Sequence, residues 1–192
     1  MTKKIGLLGG SFNPAHEGHL HISLEALEIL GLDEIWWLVS PQNPLKPKDE
    51  MLPFEHRFNS AIDITKDYRN RIKISDFEKQ NNSNRTYETL VALHNKSPKN
   101  IFIWLMGADN LVGFDKWYKW QEIMETTLIA VFDRGNEKKE ALKSKAALSF
   151  KNSLLKKENT SLLIQKTPPC WCFLDIKKHP ASSTKLRNKT KN

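Results

Sequence analysis

Short apolar runs alternate along the chain with longer segments in which apolar residues recur every three to four positions. The first pattern predicts buried β-strands and the second predicts amphipathic helices. The predicted strands are 5–8, 35–40, 71–75, 101–106, 128–132, 161–165 and 171–176. The predicted helices are 18–30, 52–67, 86–95 and 136–159, and a break near Asn152 is left open in the last of them. Because strands and helices alternate, we predict a Rossmann-like α/β fold whose doubly wound, mostly parallel sheet carries helices on both faces.

The composition fits one domain without a membrane anchor. With 192 residues and 39 % hydrophobic content the chain can bury a sizeable core, so we predict that residues 1–192 form a single domain. Nothing resembles a signal peptide or a bilayer span, and we expect a soluble cytoplasmic protein. Cys170 and Cys172 are too few and too close together for a disulfide framework, so we expect reduced thiols.

The first predicted strand leads into a segment that combines glycines, a hydroxyl group and two histidines. Gly9 and Gly10 let the backbone turn sharply and approach a bulky ligand, and Ser11 adds a hydroxyl. His16 and His19 fall near the first turn of the next predicted helix, where unpaired N–H groups and the helix dipole favour anions. This arrangement is typical of a site for nucleotide phosphates.

Other interpretations of this segment remain open or fail on spacing. A Gly-Gly pair after a strand is often only a turn. The histidines could ligate a metal ion, although they stand at i and i+3, whereas the zinc-protease pattern needs i and i+4. The glycines match neither the dinucleotide-binding fingerprint nor the Walker motif, so a different kind of phosphate loop is left.

Further candidates follow later predicted strands, because ligand-binding loops lie at the carboxyl ends of strands in open α/β sheets. The loop after the second strand holds Asn43 and Lys46, and Lys46 is a candidate phosphate contact unless it is merely exposed. After the fourth strand, Gly107 permits close approach of a ligand. Asp109 could accept hydrogen bonds from ribose hydroxyls or cap the next helix. Arg134, after the fifth strand, lies on the same predicted edge.

Two later stretches have both a structural and a functional interpretation. Trp117 belongs to an aromatic cluster that could be core or a stacking wall. Near the C-terminus, Ser183 and Thr184 precede a basic pair, Lys185 and Arg187. Hydroxyls followed by cations at a helix start make either a simple cap or a second anion cradle.

Positive charge is concentrated in the last third of the chain. The net charge is +8, and residues 136–192 hold 14 Lys and Arg against 4 Asp and Glu. Such a block fits a nucleic-acid footprint, a solvated helix face or a funnel for a polyanionic small substrate. We favour the last two, because Phe150 is the only aromatic residue between residues 138 and 157 and stacking on bases has little support.

Two motifs carry a resemblance to a known family. Residues 9–19, GGSFNPAHEGH, resemble the G-x-F-x-P-x-H-x-G-H signature of the nucleotidyltransferase superfamily, whose histidines bind ATP phosphates. Residues 182–187 resemble its S-S-T-x-x-R signature. With Gly107, Asp109 and Trp117 in their expected order, nearly the whole chain resembles bacterial nicotinate-nucleotide adenylyltransferases. Ala15 departs from the pattern, where a proline is frequent, and the tail after Arg187 is short.

The resemblance implies transfer of the adenylyl group of ATP to nicotinate mononucleotide, which gives nicotinate adenine dinucleotide and pyrophosphate in NAD biosynthesis. The catalytic residues would be His16, His19 and Arg187. The ATP-binding residues would be Gly9, Gly10, Ser11, Phe12, Gly107, Asp109, Ser183, Thr184 and Lys185. The acceptor-binding residues would be Asn43, Lys46, Thr86, Tyr87, Trp117 and Arg134.

The mechanism implied is a direct in-line displacement at the α-phosphorus of ATP, without a protein nucleophile and with Mg²⁺ bound to ATP. The ring of Trp117 would stack on the nicotinate ring, and backbone N–H groups near Tyr87 would meet its carboxylate. Nicotinamide mononucleotide or another phosphorylated acceptor, such as phosphopantetheine, is the nearest alternative. A nucleic-acid-binding module, or a relic of a class I aminoacyl-tRNA synthetase core, is the alternative from another class. We expect no nucleic-acid or membrane partner and no metal held by protein residues, and homo-oligomerisation stays open.

Overall fold

A computed structural model of the protein describes residues 2–42, 51–133, 137–177 and 179–181. The strands are β1 Lys4–Gly10, β2 Glu34–Val39, β3 Ile72–Ser75, β4 Ile101–Gly107, β5 Leu128–Asp133 and β6 Trp171–Asp175. They form one sheet in the order β3-β2-β1-β4-β5-β6, and every neighbouring pair is parallel. The predicted Rossmann-like α/β fold with a doubly wound parallel sheet is confirmed.

Helices cover both faces of this sheet. They are α1 Glu17–Ile29, α2 Phe54–Ile64, α3 Phe77–Gln80, α4 Thr86–Lys96, α5 Ala108–Val112, α6 Trp120–Thr126, α7 Lys138–Leu142 and α8 Lys145–Ser149. The apolar side chains of α1 and α2 form one core with Leu8 of β1, while those of α4, α5 and α6 form the other with Ile5 and Leu7. The strands are therefore buried on both faces, which explains why they are continuous apolar runs.

The C-terminal third differs from the sequence-based prediction in two places. The predicted strand 161–165 is wrong, because these residues belong to a 3₁₀ helix, Lys157–Gln165, in which Leu163 is buried and Leu162 is exposed. The helix predicted over 136–159 is also wrong, because α7 and α8 are separate five-residue helices and the first break lies before Lys145, ahead of the break left open near Asn152. Ser144 explains the break, since its hydroxyl caps α8 by accepting a hydrogen bond from the Ala147 N–H at 3.3 Å.

The strand order creates one crevice where a ligand can approach the sheet. The chain leaves β1 through α1 and pairs β2 on one side, whereas β4 lies on the other side of β1. Open parallel sheets bind ligands outside the carboxyl ends of strands at such a reversal of strand order. The loop that follows Gly10 and the turn at Gly107 both lie at this edge. Away from it, Cys170 and Cys172 are buried free thiols, as predicted.

Candidate nucleotide-binding site

The first turn of α1 is built around two histidines that form a reciprocal cap. His16 is the N-cap residue, and its Nδ1 accepts a hydrogen bond from the Gly18 N–H at 3.1 Å. The Nδ1 of His19 accepts a hydrogen bond from the His16 N–H at 3.2 Å. Because a backbone N–H occupies each Nδ1, we assign the proton of each neutral imidazole to Nε2. Each Nε2 is then a hydrogen-bond donor, which is the group that a phosphate oxygen requires.

The two imidazole rings are held in place by packing as well as by hydrogen bonds. Their centroids are 3.8 Å apart. The ring of Phe12 lies 4.9 Å from His19 and stacks on Trp37 at 4.9 Å with an interplanar angle of 11°. Phe12 is only 2 % exposed, so its side chain supports His19 and only its backbone is placed to contact a nucleotide.

Gly18 separates the two histidines and leaves no room for a side chain. A Cβ atom at this position would lie 2.9 Å from the His16 ring and 3.0 Å from the carbonyl oxygen of Ala181. Ala181 is the last described residue of the chain, so the C-terminal segment passes beside the first turn of α1. Ser183, Thr184, Lys185 and Arg187 lie outside the described residues, and their predicted roles stay predictions.

The loop between β1 and α1 has an uncommon backbone conformation and one hydroxyl without a partner. Phe12 has a φ of 46°, in the left-handed region that residues other than glycine seldom adopt. The Ala15 N–H donates to the Ser60 hydroxyl of α2 at 3.3 Å, which anchors the loop. The Ser11 hydroxyl is buried and finds no hydrogen-bond partner in the described part of the chain. A buried polar group without a partner is costly, so this hydroxyl is suited to a ligand.

The carboxyl ends of β1 and β4 lie side by side, and the indole of Trp104 on β4 packs against β1. The ring of Trp104 lies over Gly9, where an added Cβ atom would be 2.3 Å from the ring. Gly107 ends β4 and is also the N-cap residue of α5. Asp109 therefore lies inside the first turn of α5, which excludes it as the N-cap, and its side chain is exposed at the same edge as Gly10.

The predicted acceptor side begins at the N-terminus of α4. Arg85 is the N-cap residue, but its side chain forms no capping hydrogen bond to the first-turn N–H groups near Thr86 and Tyr87. The Tyr87 ring meets Tyr118 edge-on at 6.2 Å, and the Lys119 Nζ lies 4.5 Å from the Tyr87 ring centroid. The Arg85 guanidinium lies 4.4 Å from the Tyr118 ring centroid. Two cations thus flank an aromatic pair beside a helix N-terminus, and Arg85 also lies 3.7 Å from the Glu88 carboxylate, so Lys119 and the helix N-terminus carry most of the attraction for a ligand carboxylate.

Trp117 lies next to this aromatic pair and is half-buried. Its ring centroid is 5.0 Å from that of Phe114 and 6.3 Å from that of Trp104. We call the rings of Tyr87, Trp117 and Tyr118 the predicted acceptor wall. The buried indole of Trp104 lies over Gly9 and also near Trp117, so it packs between the end of β1 and this wall. The structure therefore brings Trp117 and Gly9 at the end of β1 next to the same residue, Trp104.

Some predicted site residues cannot be placed. Asn43, Lys46 and Arg134 lie outside the described residues, although the strands that precede them end at the same edge of the sheet. Within the described ranges, no group of three or more His, Cys, Asp or Glu side chains could hold a metal ion. A search of the same residues finds no helix that is both long enough and apolar enough to cross a membrane.

The sequence analysis missed two buried ionisable residues beside the site, Arg57 and Glu78, which are 1 % and 5 % exposed. Burial raises the pKa of Glu78 to about 7, although its carboxyl accepts hydrogen bonds from Thr89 and Ser40. Burial also lowers the pKa of Arg57. Arg57 stands three residues after Phe54, on the apolar face of α2, and this position indicates in the sequence that its side chain is buried. No comparable sequence pattern indicates the burial of Glu78, because most of its neighbours in the sequence are polar.

Comparison with known proteins gives full-length matches. A model of the cytidylyltransferase-like family matches residues 7–189. A probable nicotinate-nucleotide adenylyltransferase of Parvibaculum lavamentivorans is 44 % identical over 186 residues, which cover 97 % of this chain and 92 % of the relative. A probable nicotinate-nucleotide adenylyltransferase of Agrobacterium fabrum is 42 % identical over 187 residues, which cover 97 % of this chain and 99 % of the relative.

Solved structures show the same fold at lower identity. The chain is similar to the Plasmodium falciparum nicotinic acid mononucleotide adenylyltransferase complexed with NaAD, with a TM-score of 0.71 and 20 % sequence identity. The match covers 97 % of this chain and 83 % of that one. A Vibrio parahaemolyticus structure described as a nicotinate-nucleotide adenylyltransferase matches with a TM-score of 0.60 and 22 % identity, over 97 % of this chain and 86 % of that one.

Proposed function

Because the chain belongs to the cytidylyltransferase-like family of nucleotidyltransferases, we propose that it transfers the adenylyl group of ATP to nicotinate mononucleotide. The products are nicotinate adenine dinucleotide and pyrophosphate, so the enzyme acts in NAD biosynthesis. The observation that carries the proposal is the reciprocal cap of His16 and His19, which fixes both imidazole rings at the N-terminus of α1. The helix dipole adds to their attraction for the phosphates of ATP.

The transfer proceeds in line at the α-phosphorus of ATP. A phosphate oxygen of nicotinate mononucleotide forms the new bond to phosphorus, the bond from phosphorus to the bridging oxygen breaks, and pyrophosphate leaves. Negative charge grows on the oxygens around phosphorus and on the leaving group, so donors fixed before the reaction stabilise the transition state. His16 and His19 supply such donors, because their hydrogen bonds and the packing of Phe12 fix both rings.

The remaining ATP contacts come from the ends of β1 and β4 and from the C-terminal motif. Gly9 and Gly10 let the triphosphate approach the backbone, and the unpartnered hydroxyl of Ser11 donates to it. At the neighbouring strand end, Gly107 and Asp109 receive the ribose. Ser183, Thr184, Lys185 and Arg187 bind the terminal phosphates, and Mg²⁺ supplied with ATP would neutralise part of the phosphate charge.

The acceptor lies against the aromatic side of the crevice. Trp117 stacks on the pyridine ring, and backbone N–H groups at the start of α4, near Thr86 and Tyr87, meet the carboxylate of nicotinate. Lys119 and Arg85 place two positive charges beside this helix N-terminus, which favours nicotinate over the neutral nicotinamide. Asn43, Lys46 and Arg134 bind the acceptor's ribose phosphate.

The proposal is tested by the reaction itself. Purified protein is incubated with ATP and Mg²⁺ and either nicotinate or nicotinamide mononucleotide, and pyrophosphate and dinucleotide are both quantified. We expect both products with nicotinate mononucleotide and much less of either with nicotinamide mononucleotide. Stronger turnover of nicotinamide mononucleotide would reassign the acceptor. Absence of dinucleotide with both acceptors would refute the function.

A further inference from the structure

Arg57 is a cation buried inside the fold. It lies on α2 and is 1 % exposed, and burial lowers its pKa. No carboxylate of a described residue forms an ion pair with it, and its nearest aromatic contact is Phe54, whose ring centroid lies 5.5 Å from the guanidinium carbon. A buried guanidinium is tolerated only where other groups satisfy its donors, so the groups that do so indicate why it is there.

Four backbone carbonyls take the place of a counter-ion. The Nη1 atom of Arg57 donates to the carbonyl of Ser11 at 2.6 Å and to that of Ser40 at 2.8 Å. The Nη2 atom donates to Pro41 at 3.0 Å, and the Nε atom donates to Leu52 at 2.9 Å. The Arg57 guanidinium therefore links three segments: the loop after β1, the residues after β2 and the residue Leu52 before α2.

These carbonyls belong to the two loops that the proposed reaction uses. Ser11 lies in the loop between β1 and α1, residues 11–16, which we call the phosphate loop. Ser40 and Pro41 follow β2, and Leu52 lies just before α2, so Arg57 contacts the chain on both sides of the loop that carries the predicted acceptor residues. A rigid guanidinium fork can set the distance between the two loops, which a single-point donor such as lysine cannot.

The hydrogen bond to Ser11 also orients the peptide group that joins Ser11 to Phe12. Because this carbonyl points toward Arg57, the N–H of Phe12 in the same trans peptide points the opposite way. The next backbone angle, the φ of Phe12, is 46°, a conformation that surrounding contacts must hold. Arg57 supplies one of those contacts from behind the loop.

We propose that Arg57 is a positioning residue, which holds the phosphate loop against Ser40, Pro41 and Leu52, the described ends of the connection between β2 and α2, and thereby sets the affinity for ATP and for the acceptor together. The proposal rests on the adenylyltransferase function given above. We assign Arg57 no direct contact with a substrate, because its side chain is buried and its Nε, Nη1 and Nη2 atoms donate to backbone carbonyls. Its effect reaches the substrates through the backbone of both loops.

Two other residues of the chain provide matched controls. Arg71 also donates to carbonyls, those of Asp33 at 2.9 Å and Leu32 at 2.8 Å, but at the amino end of the sheet. Arg71→Met therefore removes the same kind of interaction far from the site. The Ser60 hydroxyl on α2 accepts from the Ala15 N–H of the phosphate loop and donates to the Arg57 carbonyl within its own helix. Ser60→Ala therefore perturbs a contact to the phosphate loop without removing any donor of the Arg57 side chain.

The experiment measures KM and kcat for each substrate in Arg57→Met, Arg57→Lys, Arg71→Met and Ser60→Ala, with thermal unfolding of each variant. For Arg57→Met we expect KM to rise for both substrates and kcat/KM to fall about 10²-fold, the effect of a small misplacement of a site. Arg57→Lys should recover part of this loss. Arg71→Met should lower thermal stability without changing KM, and Ser60→Ala should raise KM for ATP alone.

Guanidinium rescue separates a positioning role from general stability. In Arg57→Ala, guanidinium at a concentration too low to unfold the protein should restore activity several-fold, whereas it should not affect Arg71→Ala. Folded Arg57→Met with parental KM for both substrates would overturn the proposal. If Arg57→Met does not fold, Arg57→Lys decides in the same way, and parental KM values in that variant would overturn it.

Equilibrium binding distinguishes this proposal from the function on which it rests. ATP binding in the absence of any acceptor is measured for the parent protein, Arg57→Lys and Arg71→Met. If the parent forms no dinucleotide but binds ATP, the acceptor assignment fails, while weaker ATP binding by Arg57→Lys than by Arg71→Met still supports positioning by Arg57. Equal ATP affinity in all three proteins would overturn the role of Arg57 whatever the acceptor is.

Discussion

The two sides of the crevice are constructed differently. On the proposed phosphate side, His16 and His19 lie in one helical turn, the Nδ1 atom of each ring accepts a backbone hydrogen bond from that turn, and the ring centroids are 3.8 Å apart. On the acceptor side, Tyr87 comes from α4 and Trp117 from a loop before α6, and their partners lie on other elements. The first side is local in the sequence, whereas the second exists only after the chain has folded.

This difference predicts how each side responds to change. Hydrogen bonds with defined partners fix the histidines, so a small displacement there affects the reacting phosphorus directly. Ring contacts and exposed cations form the acceptor wall, and such contacts contribute individually small energies. We therefore expect large effects on kcat at the phosphate side and moderate effects on acceptor KM at the other side.

The largest effect is expected from His19→Ala. Loss of one transition-state donor should lower kcat about 10²–10³-fold, or about 3–4 kcal/mol, while the fold remains because His19 is only partly buried. Steady-state kinetics and circular dichroism check this. His21→Ala is the matched control, since His21 lies on the same helix but bonds to the Lys177 carbonyl. Activity like that of the parent in His19→Ala would remove His19 from the mechanism.

For Glu78 we expect a comparable change, in this case in the free energy of unfolding. The Glu78 carboxyl accepts a hydrogen bond from Thr89 of α4, the helix at the proposed acceptor side. Burial raises its pKa from an ordinary value of 4.5 to about 7, so the unfolded chain releases this proton at lower pH than the folded protein does. Stability conferred by the protonated carboxyl is complete below about 4.5 and declines as pH rises to about 7, by a total of about 3 kcal/mol.

Urea unfolding of the parent and Glu78→Gln between pH 5 and 8 measures this decline. The amide does not titrate, so the free energy of unfolding of the variant should fall less with rising pH than that of the parent. Glu125→Gln, which changes an exposed glutamate, should follow the parent. Parallel curves for the parent and Glu78→Gln would show that this carboxyl does not titrate in the range.

Gly18→Ala tests how tightly the phosphate side is packed. The new methyl group would lie 2.9 Å from the His16 ring and 3.0 Å from the Ala181 carbonyl, so the ring or the C-terminal segment must move. We expect kcat to fall about tenfold with a smaller change in KM for the acceptor. Gly113→Ala is the control, because an added Cβ there meets nothing within 4 Å. Equal kinetics in the two variants would contradict the packing argument.

The smallest effect is expected from the acceptor wall. Trp117→Ala should raise KM for nicotinate mononucleotide roughly three- to tenfold, the range for one lost aromatic contact, and Trp117→Phe should raise it less. KM for ATP should stay unchanged in both. If KM for ATP rises as much as KM for the acceptor, Trp117 supports the phosphate side as well, through Trp104, and the two sides are not separable.

The sequence alone determined most of the fold and the position of His16 and His19 at the first turn of α1. Parallel strands buried on both faces must be continuous apolar runs, and the capping histidines are neighbours on one helical turn, so both features are visible in short windows of residues. Periodicity failed where local signals compete, as at 161–165, where a Leu-rich segment forms a 3₁₀ helix in place of a strand.

Only the tertiary structure decided what surrounds that site. Arg57 and Glu78 are charged residue types that usually face water, and their burial depends on carbonyls and hydroxyls brought from β1, β2 and α4. The contact of Trp104 with Gly9 and Trp117 likewise joins three separate elements. The spacing of residues in the sequence shows which side chains share a turn or a face of one helix or strand. It does not record which distant segments pack together, because that depends on strand order and on the total packing of the core.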